Sequence, residues 1–336
     1  MGALEKVVKD SILDTIGTPL VRLSSPEGAT VAAKVESFNP GGSAKDRPAR
    51  EMVRAAEETG DIRPGDRLVE ATSGNTGIGL AVVCAARGYD LTIVMPDSKS
   101  EERRRLLRAY GADLELVAGE MTDANDRAAE MARENPDTYL VSQFENEANP
   151  RAHYRTTAEE IIEQVDGREV DALVAAIGTG GTITGTATRL LEAYPDMEVV
   201  GVEPAENPVL TTGEPGPDDY QGMGPGFVSD LLDTDLLDTV ETVALEDAEA
   251  ECRRLAREEG ILVGQSSGAA AIAATRVAER LAQPELDCPE PPAALADDTQ
   301  THQAVSDGGQ DYDDCPLVVT ILPDSGERYL SAGTFN

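Results

Sequence analysis

The chain has 336 residues, 40% of them hydrophobic and none of them tryptophan, enough for more than one core, so two packed units are expected. Lys and Arg total 28 against 63 Asp and Glu, a formal charge of -35; such a surface repels phosphate backbones and anionic lipids and argues against nucleic acid or membrane as partners. No apolar run approaches the ~18 residues of a membrane span, and four scattered cysteines with only two histidines exclude a zinc-finger-like site and argue against any His-based metal centre.

The acidic excess comes with a shortage of lysine: only Lys6, Lys9, Lys34, Lys45 and Lys99. That balance suits concentrated salt, where screening relieves self-repulsion and carboxylates keep the surface hydrated. The opening stretch mixes charges with apolar residues and has no signal-like apolar core, so a cytoplasmic protein is expected.

Along the chain, short apolar runs alternate with amphipathic stretches, the signature of an α/β fold. A small-residue loop, Asn39 to Ala44, leads to Lys45 and a helix bracketed by Asp46, Pro48 and Gly60. Strands are predicted over Leu68–Ala71, Leu91–Met95, Leu114–Val117, Tyr139–Ser142, Ala172–Ile177, Val199–Val202 and Leu317–Leu322. Several are continuous Val/Ile/Leu runs, as in parallel strands covered on both faces. Helices are predicted over Gly77–Arg87, Glu101–Tyr110 and Glu246–Glu259, closed by Gly88, Gly111 and Gly260. The stretch 283–314 is rich in Pro, Asp, Gln and Ala without apolar period and reads as a solvated acidic loop insertion. Cys288 and Cys315 flank it, and their spacing alone leaves a bridge open. Cys84 and Cys252 fall in helical apolar patterns and read as core.

Four segments carry chemistry. Lys45 stands at a helix start, where the positive end of the dipole favours a neutral amine while Asp46 opposes it; taken alone, a solvated lysine is the simpler reading. Glu70-Ala71-Thr72-Ser73-Gly74-Asn75-Thr76-Gly77 joins a strand to a helix, and its hydroxyls and terminal amides suit a carboxylate, though a lone loop of this kind is ambiguous. Gly178-Thr179-Gly180-Gly181-Thr182 also follows a strand and opens a helix. Its glycines let N–H groups converge on an anion, either as a phosphate cradle or simply as a tight turn, and it lacks the lysine of a nucleotide-triphosphate loop. Gly264-Gln265-Ser266-Ser267-Gly268 by itself reads as a helix cap.

Together the four segments resemble the fold-type II pyridoxal-phosphate enzymes (tryptophan synthase β-like), within them the cysteine synthase and cystathionine β-synthase family. The likeness extends to Ile16-Gly17-Thr18-Pro19-Leu20-Val21 and to Gly326-Glu327-Arg328-Tyr329-Leu330-Ser331. The stretches Lys45 to Ala49, Met95 to Asp97, Arg108 to Ala112 and Ala152 to Tyr154 look like the B-type cysteine synthase (O-acetylserine sulfhydrylase). The resemblance implies two doubly wound α/β domains with the active site in the cleft between them. Residues 37–147 would form a smaller mobile domain carrying the lysine and the carboxylate grip. Residues 1–36 and 148–336 would form a larger one holding the cofactor phosphate.

It also implies roles. Lys45 matches the Schiff-base lysine and proton shuttle, and Asn75 the residue bonding the cofactor's ring hydroxyl. Gly178, Thr179, Gly180, Gly181 and Thr182 match the phosphate loop, and Ser266 the hydroxyl facing the pyridine nitrogen. Thr72, Ser73, Asn75, Thr76 and Gln143 match the substrate-carboxylate grip, and His153 is expected only to pack or bond within its own helix. The implied reaction replaces the acetate of O-acetyl-L-serine by sulfide, or by thiosulfate, through an aminoacrylate, giving L-cysteine. A homodimer and a serine acetyltransferase partner come with the resemblance. Cystathionine β-synthase (serine with homocysteine) and O-phosphoserine sulfhydrylase are the rivals; the segment Glu203–Tyr220 has no arginine for a phosphorylated leaving group. A dehydratase would use the same lysine and cradle, and a non-catalytic binding protein would be expected to have lost them.

Overall fold

The structure is a computed structural model that describes residues 8–99, 101–286, 288 and 314–336. Most of the expected acidic insertion, and His302, lie outside the described residues. In chain order the elements are β1 (Leu20–Arg22), β2 (Thr30–Val35), α1 (Asp46–Thr59), β3 (Arg67–Ala71), α2 (Asn75–Arg87), β4 (Asp90–Pro96), α3 (Glu101–Ala109), β5 (Asp113–Val117), α4 (Met121–Glu134) and β6 (Thr138–Leu140). There follow α5 (Ala148–Arg155), α6 (Thr157–Gln164), β7 (Ala172–Ala176), α7 (Gly181–Ala193), β8 (Glu198–Pro204), α8 (Val209–Thr212), β9 (Thr239–Val243), α9 (Leu245–Arg254), α10 (Gln265–Leu281) and β10 (Leu317–Leu322).

Two compact units result, one of residues up to Gly17 with Phe38–Ala152, the other of Thr18–Ser37 with His153–Asn336. The first holds a four-stranded sheet in the order β5-β4-β3-β6, every pair parallel. Alternate residues of β3 feed two cores, because side chains on a strand point to opposite faces in turn. Leu68 joins Met52, Val53 and Ala56 of α1 and Ile78 and Leu80 of α2. Val69 and Ala71 join Ala124 and Ala128 of α4. That double coverage is why β3 and β4 read as unbroken apolar runs.

The second unit holds six strands in the order β1-β2-β10-β7-β8-β9, parallel except for the antiparallel β1-β2 pair. One face packs Val31, Val174 and Val200 on the alanines of α10; the other packs Leu173, Val319 and Ile321 on Ile161 of α6 and Ile183 and Leu190 of α7.

The strands predicted from the sequence are present within a residue or two of their expected ends, but β1, β2 and β9 were not predicted. In β2 the apolar run is broken by Lys34, which is fully buried, its amine held by Glu160 at 2.7 Å and by Gln164 Oε1 at 2.8 Å. Strand β9 (TVETV) is mostly half-buried and carries an acid at its centre. Residues 8–17 fall in the first unit and Thr18–Ser37 in the second. Before Thr18, Leu13 is buried in the core of α1 and α2, and Arg50 Nη1 donates to its carbonyl at 3.0 Å. Residues 148–152 likewise belong to the first unit, where Ala148 packs. Cys288 and Cys315 form a disulfide, while Cys84 and Cys252 are free and buried. Among the described residues no helix is long and apolar enough to cross a membrane, and no cluster of His, Cys, Asp or Glu could hold a metal.

Candidate active site

The site segments share one electrostatic feature. A helix start has unsatisfied N–H groups that an acid or a capping side chain ordinarily answers. In this acid-rich chain α3, α4, α6 and α9 all open with Asp or Glu in the first turn. By contrast α2, α7 and α10 have glycine at the cap, no side-chain cap and no acid in the first turn. Their amides are kept for something else.

In the first unit, the loop before Lys45 is tied down atom by atom. Gly17 N donates to Asn39 Oδ1 at 3.3 Å, Asn39 Nδ2 to Ser43 O at 3.1 Å, and Gly41 N to the buried Asp46 carboxylate. Asp46 therefore turns back onto the loop. Lys45 is half-buried, and its backbone lies against α2, where a Cβ added to Gly79 would stand 2.8 Å from Lys45 O. Lys34 is unsuited to Schiff-base chemistry because its amine is already in a buried ion pair.

The turn from β3 to α2 presents Thr72, Ser73, Asn75 and Thr76. Thr72 Oγ1 accepts from Gly74 N at 3.1 Å, and Arg103 Nη1 donates to Ser73 O at 2.9 Å. Gln143, 67 residues beyond Thr76, is brought to it: Thr76 Oγ1 donates to Gln143 Oε1 at 2.6 Å. Gln143 Nε2 donates to Glu70 Oε1 at 3.3 Å. Ser142, just before it, is in the left-handed region at φ 58°, and Asn149 Nδ2 grips Gln143 O at 2.8 Å. Glu70 is buried; desolvation pushes its carboxyl up to about 7, against the pull of the Ser142 and Gln143 amides and the Gln143 side chain.

In the second unit, the loop after β7 runs through Gly178, Thr179 and Gly180, the last at φ +82°, into α7. A Cβ at Gly178 would stand 2.8 Å from Gly222 O, and one at Gly180 2.7 Å from Leu232 Cβ, so neither tolerates a side chain in place. Thr182 Oγ1 lies 3.2 Å from Nε2 of the fully buried His153, whose Nδ1 is 2.8 Å from Thr157 Oγ1. His153 thus does more than bond within its own stretch of helix: it backs the loop. Ser266, in the first turn of α10, is buried, with its Oγ and the Tyr329 hydroxyl both just under 4 Å from where a Cβ on Gly222 would be. Tyr329 donates to Asp324 Oδ2 at 2.6 Å. Gly222 and Asp324 had no flag in the sequence, whereas Tyr329 stood in a noted tail motif without a role. The buried thiols of Cys84 and Cys252 are pushed up to about 12 by desolvation and are not nucleophiles.

The donors present fit pyridoxal phosphate. Uncapped α7 amides in a loop whose Gly178 and Gly180 leave no room for a Cβ suit its phosphate, and a neutral buried hydroxyl on α10 suits its ring nitrogen. Residues 12–286 match the model of the family described as pyridoxal-phosphate dependent enzyme, and the chain belongs to that family. Within it the chain is a cysteine synthase-like enzyme. It is 43% identical to the cysteine synthase of Staphylococcus aureus (strain N315) over 333 residues, 97% of each chain. Among solved structures it is similar to O-ureido-L-serine synthase, with 42% identity, 98% of this chain and 96% of that one covered, and a TM-score of 0.85. It is also similar to the cysteine synthase (OASS) of Entamoeba histolytica, with 35% identity, coverage of 100% and 93%, and a TM-score of 0.86.

Proposed function

We propose that this enzyme makes L-cysteine by replacing the acetate of O-acetyl-L-serine with sulfide, as a B-type cysteine synthase. The observation that carries the reading is the pair of uncapped anion cradles: side-chain hydroxyls and an amide at the start of α2, and a glycine-shaped backbone with the Thr179 and Thr182 hydroxyls at the start of α7. The first suits an amino-acid carboxylate, the second a phosphate monoester. Bound pyridoxal phosphate supplies an electron sink at the substrate's Cα. Gly178–Thr182 would take its phosphate, Ser266 its ring nitrogen, Asn75 its ring hydroxyl and Lys45 its carbonyl carbon. The freed Lys45 amine removes the Cα proton and later returns it. Thr72, Ser73, Asn75, Thr76 and Gln143 hold the carboxylate so that the Cα–H bond stays aligned with that amine. Because Ser266 is neutral, it does not force a proton onto the ring nitrogen as a carboxylate would, which favours loss of acetate over long-lived carbanion chemistry.

The donor assignment rests on Glu203–Tyr220. That segment has no arginine, and Glu203 is engaged by the Leu210 and Thr211 amides at 2.7 and 2.9 Å. An uncharged acetyl group suits such surroundings better than a phosphate. The test is a visible absorbance titration of the holoenzyme in high salt, adding O-acetylserine and then sulfide. The cofactor band is expected to shift with the first addition and return with the second as cysteine appears. Lys45→Ala is expected to lower turnover by roughly 10³-fold or more. A band indifferent to O-acetylserine would overturn the donor assignment and put serine with homocysteine next.

A further inference from the structure

Behind the proposed carboxylate grip stands a group the reaction has not used. Glu70 is the fourth residue of β3, only 4% exposed. Its Oε1 faces Gln143 Nε2 at 3.3 Å, and its Oε2 is buried without a hydrogen-bond partner. A buried carboxylate with one oxygen lacking a direct partner, one long side-chain amide contact and only the pull of the Ser142 and Gln143 backbone amides against desolvation is poorly compensated as an anion. Among the described residues no cation is paired with it: α1, which meets Leu68 on this face, carries Arg47, Arg50 and Arg54, of which Arg50 donates to Leu13 O and Arg54 pairs with Glu51. Strands β4 and β6 bring only Asp90, which pairs in register with Arg67 at the other end of β3. The charges of α4 belong to the helix packed with Val69 and Ala71 on the opposite face. Helix α2 carries no charge before Arg87 in its last turn. On the turn itself the charged neighbour is Glu145, another acid.

The contacts form a chain of three: Thr76 hydroxyl, Gln143 amide, Glu70 carboxyl, with steps of 2.6 and 3.3 Å. The middle member has a donor on one side and an acceptor on the other, and turning it over exchanges them without changing its shape. With Glu70 ionised, Gln143 must give its NH2 to Glu70 and its carbonyl to Thr76, so the Thr76 proton is occupied. With Glu70 protonated, its O–H donates to Gln143 Oε1, Gln143 Nε2 donates to Thr76 Oγ1, and the Thr76 proton is released. A substrate carboxylate accepts hydrogen bonds only.

Building on the carboxylate assignment above, we infer that Glu70 is a positioning residue whose protonation turns the Gln143 amide and frees the Thr76 hydroxyl to bind the amino-acid carboxylate. Substrate binding then takes up one proton from water onto Glu70 wherever that group is otherwise ionised. The only bond made is that Glu70 O–H, with its proton drawn from water; the Gln143 amide turns without any change in its own bonds.

The test uses the holoenzyme and L-alanine, which has the amine and carboxylate of the substrate and no leaving group. Its Kd is read from the visible band between pH 5.5 and 9 for the wild type, Glu70→Gln and Gln143→Ala. Glutamine at 70 donates as the protonated acid does, so the pH dependence common to both proteins (the ligand's amine included) cancels in the ratio of wild-type to variant Kd. That ratio is expected to be flat below pH 6.5 and to rise about tenfold per pH unit above 7.5, until the ionised form's own affinity is reached. A ratio constant over the whole range overturns the inference. Gln143→Ala separates the two layers: if it leaves the Kd unchanged, the carboxylate assignment falls and takes the inference with it. If it weakens binding while the Glu70→Gln ratio stays flat, the inference alone fails. The intact visible band of each variant reports that it is folded and loaded.

Discussion

The starts of α2 and α7 are the same device built in two ways. Both follow a parallel strand, both begin at a glycine, and both leave their amides uncapped. Each has a threonine whose hydroxyl is turned by a residue able to donate on one side and accept on the other: Gln143 for Thr76, His153 for Thr182. They differ in what stands at the far end. The α2 relay ends on a buried carboxyl, Glu70, and the α7 relay on a hydroxyl, Thr157, which itself can donate or accept. They also differ in how the loop is shaped, by hydroxyl side chains in one case and by glycines without room for a Cβ in the other. On the proposed assignments, the grip on a ligand that comes and goes with each turnover would be linked to protons, while the grip on a resident cofactor would depend on fixed backbone.

The sharpest way to break this comparison is stability against pH. Glu70 is lifted from 4.5 to about 7 in the folded chain. A raised carboxyl contributes stability that is fully present below the unfolded value. It is lost as pH rises to the folded value, because the folded state alone holds the proton in between. Across pH 4.5–7 the wild type is therefore expected to lose about 3 kcal/mol relative to Glu70→Gln, with no further change above pH 8. Denaturant melts at fixed salt read this directly, and parallel curves for the two proteins would remove the titrating end of the α2 relay. The backbone of the other cradle has a different vulnerability. Gly178→Ala would drive a Cβ against Gly222 O and displace the loop. Cofactor retention is expected to fall by roughly tenfold to a hundredfold, measured by resolving and reloading the enzyme, and an unchanged affinity would mean the loop does not hold the phosphate.

Much of this was legible in the sequence, for a physical reason: strands covered on both faces must be continuously apolar, and glycine loops before helices stand out in a chain otherwise full of acids. What escaped was decided by tertiary pairing. β2 was hidden because Lys34 interrupts it, and only the folded chain supplies Glu160 and Gln164 to neutralise and bond that amine. Residues 8–17 fall in the first unit because the burial of Leu13 depends on α1 and α2, not on its neighbours in sequence. At the site, the residues that carry the family's motif stood out in the sequence. Their backing was not: Glu70 looked like a strand residue, and His153 like part of a helix. Their partners, Gln143 and Thr182, lie 73 and 29 residues away.

The smallest effect discriminates most finely between the relays. His153 is buried with Thr157 on one nitrogen and Thr182 on the other. When Thr157 donates to Nδ1, Nε2 carries the proton and donates to Thr182, leaving the Thr182 hydroxyl free to donate to an anion; the opposite tautomer takes that hydroxyl proton for itself. Thr157→Val keeps the volume of the side chain but removes its hydroxyl, so the first tautomer loses its fixing bond. One hydrogen bond is worth about 1 kcal/mol net, so cofactor affinity is expected to weaken about fivefold, and Thr157→Ser is expected to restore it. Unlike Glu70→Gln, neither change should alter the pH dependence of L-alanine binding. A Thr157→Val enzyme that retained its cofactor as the wild type does would make His153 a packing residue, and only the α2 cradle would then have a relay behind it.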